Sequence, residues 1–225
     1  MDLGRAFNYP MKDQNWIVKL LIGAVISLIP IVNFIASGFQ VRAIREVLNG
    51  NEERLPEWDD FGGDFMRGLI VAVFLFVYQL PATIVYCCLS LFGSALDSGS
   101  EGGGAGGLLV CCALPFILVY SIAASAMFAP GLVRYAATDD FNVFLDFGGR
   151  WRDVTSNTGA LVTLVLYGIV IYLVIGLVVS ITIWLCGLGL LFLFAGQLML
   201  ANLLAQYGAE LGLGGAPLRK NDALV

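Results

Sequence analysis

Residues 154–209 read VTSNTGALVTLVLYGIVIYLVIGLVVSITIWLCGLGLLFLFAGQLMLANLLAQYGA, fifty-six residues without a single charge. A helix crosses the roughly 30 Å hydrocarbon core of a bilayer with about 20 apolar residues. This run is too long for one crossing and must turn inside it. Cys186-Gly187-Leu188-Gly189 is the natural place, because glycine reaches the φ values a tight turn needs. The run therefore reads as two spans, 160–185 and 188–207.

Three further uncharged runs precede it, at 20–41, 68–96 and 102–133. The last two predict spans over 68–93 and 108–133, joined by a Gly/Ser-rich loop over 94–107. The chain has 225 residues, of which 59% are hydrophobic and 13% charged, with a mean hydropathy of +0.85 and no histidine. A soluble domain carries about a quarter charged residues. The composition excludes a soluble globular domain, a disordered tail and a nucleic-acid binder. A net charge of −5 also argues against a polybasic surface. None of the five cysteines has CxxC spacing, and no histidine could join them, so neither a metal centre nor a cofactor is expected. The long first apolar run, preceded by sixteen residues that include Asp2, Pro10 and Asp13, does not read as a cleaved signal peptide.

The first apolar stretch, 16–48, behaves differently from the others. Trp16–Ile29 would make a helix of only about 21 Å, and Pro30 should then break it. A second helix can run from Ile31 to Leu48, with Asn49-Gly50 as its stop. Residues 1–15 read as a lead-in lying on the surface. Leu55-Pro56-Glu57-Trp58-Asp59-Asp60 reads as a helix start, since proline and acids suit the first turn.

Charge sets the orientation. Loop 94–107 has no Lys or Arg, whereas the connection 39–67 has four and 134–158 has three. By the positive-inside rule the loop and the turn at 186–189 face outward, and both connections and the C-terminus face the cytoplasm. A re-entrant hairpin over 16–48 places all twelve basic residues on the inside, whereas a single crossing strands Arg5, Lys12 and Lys19 outside. The hairpin is preferred on that ground, and it puts both termini in the cytoplasm of a multi-pass cell-membrane protein.

An internal duplication is suggested by Asp60-Phe61-Gly62-Gly63 and Asp146-Phe147-Gly148-Gly149, each just before a span. Gly38-x-x-x-Arg42 and Gly131-x-x-Arg134 each close the preceding apolar helix. The pattern Phe7-x-Tyr9-Pro10, then Trp16 and Gly23, then Gly38-Phe39-x-x-Arg42-x-x-Arg45, Gly50 and Leu55-Pro56-Glu57-Trp58-Asp59-Asp60, resembles a prokaryotic multi-spanning membrane family, domain of unknown function 4013. The resemblance is most specific between residues 7 and 68. It implies a bacterial or archaeal membrane protein and carries no activity, cofactor or catalytic residue with it.

No Asp, Glu, Lys, Arg or His lies inside the four long spans, which argues against a pump, a proton-coupled carrier or an intramembrane protease. Uncharged polar residues remain. Gln79 and Thr83 share a face, as do Ser121 and Ser125, and the last span carries Gln197, Asn202 and Gln206. These residues either line a polar path for a small solute or bond helix to helix; the second is the more economical reading. The cysteines at 87, 88, 111 and 112 could bridge across loop 94–107, or simply pack as small apolar residues. Trp58 and Trp151 read as interfacial anchors, with docking of a partner as the alternative. Together with Asp60, Arg42 and Arg45 they form the candidate interface surface.

The expected fold is a single all-α polytopic membrane domain, 1–225, with four full spans preceded by a short re-entrant hairpin broken at Pro30. Two function classes stay open. One is a non-enzymatic scaffold or accessory subunit, with a membrane-protein partner or a second copy of itself. The other is a channel or facilitator for a small neutral solute. An enzyme is the class least expected.

Overall fold

The structure is a computed structural model that describes residues 1–97, 104–182 and 188–214. Among the described residues it is all helical. The helices are α1 Leu3–Asn8, α2 Trp16–Ser27, α3 Asn33–Leu48, α4 Phe61–Asp97, α5 Ala105–Thr138, α6 Phe147–Ser156, α7 Thr158–Thr182 and α8 Leu188–Glu210. Short 3-10 turns occupy Tyr9–Met11 and Phe141–Phe144. The chain divides into two compact units, Met1–Ala72 with Ala129–Val225, and Val73–Phe128. The turn expected at 186–189 and the basic tail residues Arg219 and Lys220 lie wholly or largely outside the described residues.

Four helices are long and apolar enough to cross a membrane: Phe61–Leu96, Gly106–Thr138, Thr158–Thr182 and Gly189–Glu210. They contain the described parts of the four spans expected from sequence. The chain is an integral membrane protein. The twelve residues of α2 reach only about 18 Å, too short to span.

In the larger unit α8 is the buried axis. Phe194, Leu198, Ala201, Leu203, Ala205 and Tyr207 are all removed from the surface. The sequence break falls where Pro30 demands it, with α2 ending at Ser27 and α3 starting at Asn33. The chain folds back there. Lys19, near the start of α2, reaches the Leu55 carbonyl at 2.9 Å, only a few residues beyond the end of α3. Gly23 lets the Phe194 ring lie against the α2 backbone, where a Cβ would overlap it. Phe194 also meets Phe39 and Trp58, each with ring centroids 5.9 Å away.

α3 and α4 cross backbone to backbone. A Cβ on Gly38 would overlap the Asp64 carbonyl, and one on Gly68 would overlap the Phe34 carbonyl. Only glycine at both positions permits this approach.

Two expectations are corrected. The segment Leu55–Asp60 is not a helix start; it stays irregular, and α4 begins at Phe61. The missing proline N–H suits a first helical turn, but Lys19 binds the Leu55 carbonyl and Asp13 the Leu55 N–H, which tie up the backbone groups of Leu55 outside any helix. The lead-in 1–15 does not lie loosely on the surface either. Ala6 and Tyr9 are fully buried. Asp2 N–H donates to Gln206 Oε1 at 2.6 Å, and Gln206 Nε2 donates back to the Asp2 carbonyl at 3.1 Å, which fastens the segment to the end of α8.

The smaller unit, Val73–Phe128, comprises the later part of α4 and the first part of α5. Its two arms touch at several places. The Tyr120 hydroxyl donates to the Tyr78 carbonyl at 3.0 Å, Tyr78 and Phe128 meet edge to face at 5.7 Å, and the backbone at Gly106 comes close to that at Gly93. Most of its large side chains are exposed, among them Phe76, Phe92, Phe116 and Val119. That is the surface of helices whose solvent is lipid.

Candidate functional site

One layer of charges in the larger unit is built from α3, the start of α4 with the connection that leads into it, and the end of α5. α3 ends at Asn49-Gly50, with Gly50 at a φ of 86°. α5 ends at Thr138, and Asp139 follows at a φ of 56°, a left-handed conformation that a non-glycine residue adopts at some cost. The Asp139 carboxylate is gripped twice, by Arg45 Nη2 at 2.6 Å and Arg67 Nε at 3.5 Å. Arg45 Nε also donates to the Ala136 carbonyl at 2.6 Å, capping the last turn of α5.

Arg42 bridges Asp59 at 2.7 Å and Asp64 at 2.6 Å, and also donates to the Glu57 carbonyl. Asp64 is 1% exposed and takes a second contact from Arg67 Nη1 at 3.2 Å. Arg67 reaches Asp60 at 3.0 Å. Three arginines and four aspartates thus form one continuous network across α3, α4 and the end of α5. Burial works against the Arg42 cation, but Asp64 and Asp59 outweigh it and raise its pKa above the ordinary value. The same contact holds the Asp59 carboxyl below its usual range.

A second buried pair sits beside the layer. The Lys19 ammonium donates to Asp13 Oδ2 at 2.8 Å, the Leu55 carbonyl at 2.9 Å and Glu57 Oε1 at 2.7 Å. All three of its protons are engaged. Burial alone would raise the Asp13 pKa. Lys19, with the N–H groups of Asn15 and Leu55, overcomes it and lowers it. Neither residue of this pair was a candidate from sequence. A lysine three residues into an apolar helix, six after an aspartate, was the signal available.

The two Asp-Phe-Gly-Gly motifs do the same local work. Asp60 Oδ1 accepts the Gly63 N–H at 2.9 Å, and Asp146 Oδ1 accepts the Gly149 N–H at 2.9 Å. Each aspartate caps the helix that follows. A Cβ on Gly63 or Gly149 would strike the capping carboxylate, which accounts for the last glycine of each motif.

The remaining candidates separate. Trp58 is half-buried, stacked on Phe39 with centroids 4.0 Å apart, and its indole N–H donates to the Lys19 carbonyl at 3.2 Å. Trp151 is 61% exposed. Arg134 pairs with Asp153 through two bonds of 2.8 Å. Arg150 is buried in the room left by Gly131 and lies 5.6 Å beneath the Phe147 ring.

In the smaller unit Gln79 Nε2 reaches the Ser121 carbonyl and Ser125 Oγ, both at 3.4 Å. Thr83 and Ser125 donate back into their own helices. In the larger unit Asn202 accepts from Gln206 at 2.7 Å, and the Gln197 carbonyl accepts from Gln40 at 3.2 Å. The polar candidates of the spans are therefore split between the two units. Cys87, Cys88, Cys111 and Cys112 are exposed free thiols.

An open cleft of about 960 Å³ lies beside the layer, lined by Arg5, Lys12, Glu46, Glu52, Gln206 and Glu210 among others. Arg5 Nε and Nη2 each donate to one oxygen of the Glu52 carboxylate, and Lys12 approaches the same carboxylate at 3.6 Å. Arg5 holds the Glu52 carboxyl below its usual range. These charges are turned on one another rather than into the cleft. Among the described residues no group of acids and thiols is arranged to hold a metal ion.

With this geometry in place, the comparison with known families is informative. The family described as "Protein of unknown function (DUF4013)" matches residues 22–187. The chain belongs to this family. The matched DUF4013 region contains the α3–α4 crossing, the arginine–aspartate layer and both Asp-Phe-Gly-Gly caps. Asp13, Lys19 and Gln206 fall outside it. No curated protein and no solved structure matches the chain.

Proposed function

We propose that this protein is a non-enzymatic scaffold or accessory subunit of a membrane assembly. The observation that carries this reading is the surface of the Val73–Phe128 hairpin. Its two arms expose small and weakly polar residues, Thr83 and Cys87 one turn apart on α4 and Cys111 and Cys112 on α5, among large apolar ones. Helices associate in lipid through such small residues, where close approach replaces the hydrophobic effect. The partner is another membrane protein or a second copy of this chain. The internal pairing of the charged layer supports the same reading, because it spends arginines and acids on holding helix ends rather than on a ligand.

The proposed setting is the cell membrane, with both termini cytoplasmic and α2–α3 re-entrant. Supporting it, Asp2 binds Gln206 and Lys19 binds Leu55. This gathers the N-terminal segment, the first connection and the end of α8 at one end of the unit.

A facilitator for a small neutral solute is the second reading. It draws on Gln197, whose side-chain oxygen is buried without a hydrogen-bond partner. Gentle purification from native membranes, followed by mass spectrometry of stoichiometric companions, tests the choice. A constant partner is expected. A chain that comes away alone overturns the scaffold reading and calls for solute-flux assays, with Gln79→Leu and Gln197→Leu as first variants.

A further inference from the structure

The connection between α5 and α7 has two faces that do opposite things. One face is tied to the rest of its unit. Val143 and Phe144 are buried, the Phe144 ring meets Tyr135 at 5.4 Å, and Asp153 takes both bonds from Arg134. The other face is open and apolar. Phe141 is 49% exposed, Leu145 57%, Phe147 55% and Trp151 61%. On α6, Phe147 and Trp151 stand one turn apart on a shared face, while Arg150 and Asp153 turn inward. Arg152, next to Trp151, is exposed.

We propose that residues 141–152 form a lipid-binding surface. Phe141, Leu145, Phe147 and Trp151 are seated in the headgroup and upper acyl region of the cytoplasmic leaflet, and Arg152 is directed at lipid phosphate. The occupant follows from the chain's own path. α5 ends at Thr138 and α7 begins at Thr158, and both are membrane-crossing helices by length and apolarity. The connection leaves and re-enters the bilayer on one face, so it lies at that interface. The exposed apolar set resumes on the lipid-facing side of α7 at Val162 and Leu166. Four large apolar groups within so short a segment would be costly against water. Tryptophan and phenylalanine beside a basic residue are the side chains an interface accepts best. The first connection supplies the contrast, since its tryptophan is used internally against Phe39.

The inference rests on α5 and α7 crossing the bilayer, so the test separates the two. The full chain is reconstituted in phosphatidylcholine–phosphatidylglycerol vesicles, and its retention after alkaline carbonate washing reports the crossing helices. The emission of Trp151 is taken as the difference between the wild-type chain and Trp151→Phe, with circular dichroism to verify that the variant is folded. Lipid brominated near the top of the acyl chain should quench most of that difference signal. Iodide supplied on both sides of the membrane should quench little of it. A carbonate-resistant protein whose Trp151 signal is quenched by iodide and spared by brominated lipid overturns the proposal and leaves the crossing helices standing. Iodide shielding in native membranes that is lost in pure lipid vesicles also overturns it, by assigning the face to a protein partner. Leu145→Trp in the Trp151→Phe background repeats the reading at a second position and must agree.

Discussion

The two connections of the larger unit share a motif and differ in what they do with it. Both place an Asp-Phe-Gly-Gly cap on a helix, and both follow a helix that carries a glycine and then an arginine. In the first connection the glycine brings two backbones together, the arginine enters a network of seven charged groups, and the tryptophan folds inward. In the second the glycine makes room for Arg150, the arginine holds Asp153, and the tryptophan points outward. The same local signals can therefore build a structural clamp or a surface, according to the partners that the rest of the chain brings. In each motif the aspartate accepts the N–H of the glycine three residues on at 2.9 Å, and we propose an internal duplication as the origin of the pair.

The comparison breaks most visibly at the glycines. Gly38→Leu drives a side chain into the Asp64 carbonyl, and overpacking costs of roughly 1–3 kcal/mol rise further where backbone must move. Loss of folded, monodisperse protein in detergent is expected. Gly131→Ala meets the end of a side chain, Arg150 Nη1, and should leave a folded protein of reduced thermal stability.

Next come the tryptophans. Trp58→Ala should cost about 3 kcal/mol by emptying the stack on Phe39, whereas exposed positions change stability by about 0.5 kcal/mol or less, so Trp151→Ala in detergent should be near neutral. Equal shifts in thermal unfolding would erase the proposed division between clamp and surface.

The arginines follow. Arg42→Gln leaves the buried Asp64 with Arg67 as its remaining charged partner and should cost about 3 kcal/mol. Arg134→Gln removes the partly exposed pair with Asp153 and should cost less, about 1–2 kcal/mol. Denaturant titration of the two variants, side by side, checks the order.

The caps are smaller still. Asp146→Ala should cost about 1 kcal/mol, the usual value for a lost N-cap. Asp60→Ala should cost somewhat more, because it also releases Arg67.

Acid provides the finest probe. Asp59 is held low by Arg42, Asp60 by the Gly63 N–H and Arg67, and Glu52 by Arg5. A carboxyl whose folded pKa is depressed stabilises the fold above its ordinary value and loses that contribution as pH falls through the folded value. The ordinary values are 3.8 for aspartate and 4.5 for glutamate. The part of the stability that these three groups supply is lost as pH falls below this range, so proteolytic cleavage within 49–60 should rise there, and sodium chloride should shift its onset. Cleavage that is flat across that window would remove the clamp reading of the first connection.

Much of the fold could be read from local pattern. The charge-free runs reveal the four long helices because lipid tolerates little else, and Pro30 reveals the break because it lacks an N–H and crowds the preceding turn. Asn49-Gly50 stops α3 as its left-handed glycine requires. The Asp-Phe-Gly-Gly motifs mark helix starts, since a cap needs only its own few neighbours. The helix start expected at Pro56 shows the limit of that approach. Propensity favoured it, and two hydrogen bonds to Leu55 from residues far back in the chain prevailed.

Sequence by itself determined the class and the number of long helices, because periodicity and hydrophobic length act over a few residues. Tertiary structure alone decided that Trp58 is stacked inward on Phe39 and that Trp151 is exposed. It also decided that Lys19 seeks Asp13, and that the first residues bind α8 across more than two hundred positions. Those outcomes depend on which distant groups arrive at each end of the helices. A buried charge or indole takes whichever partner the packing presents, and no local pattern names it.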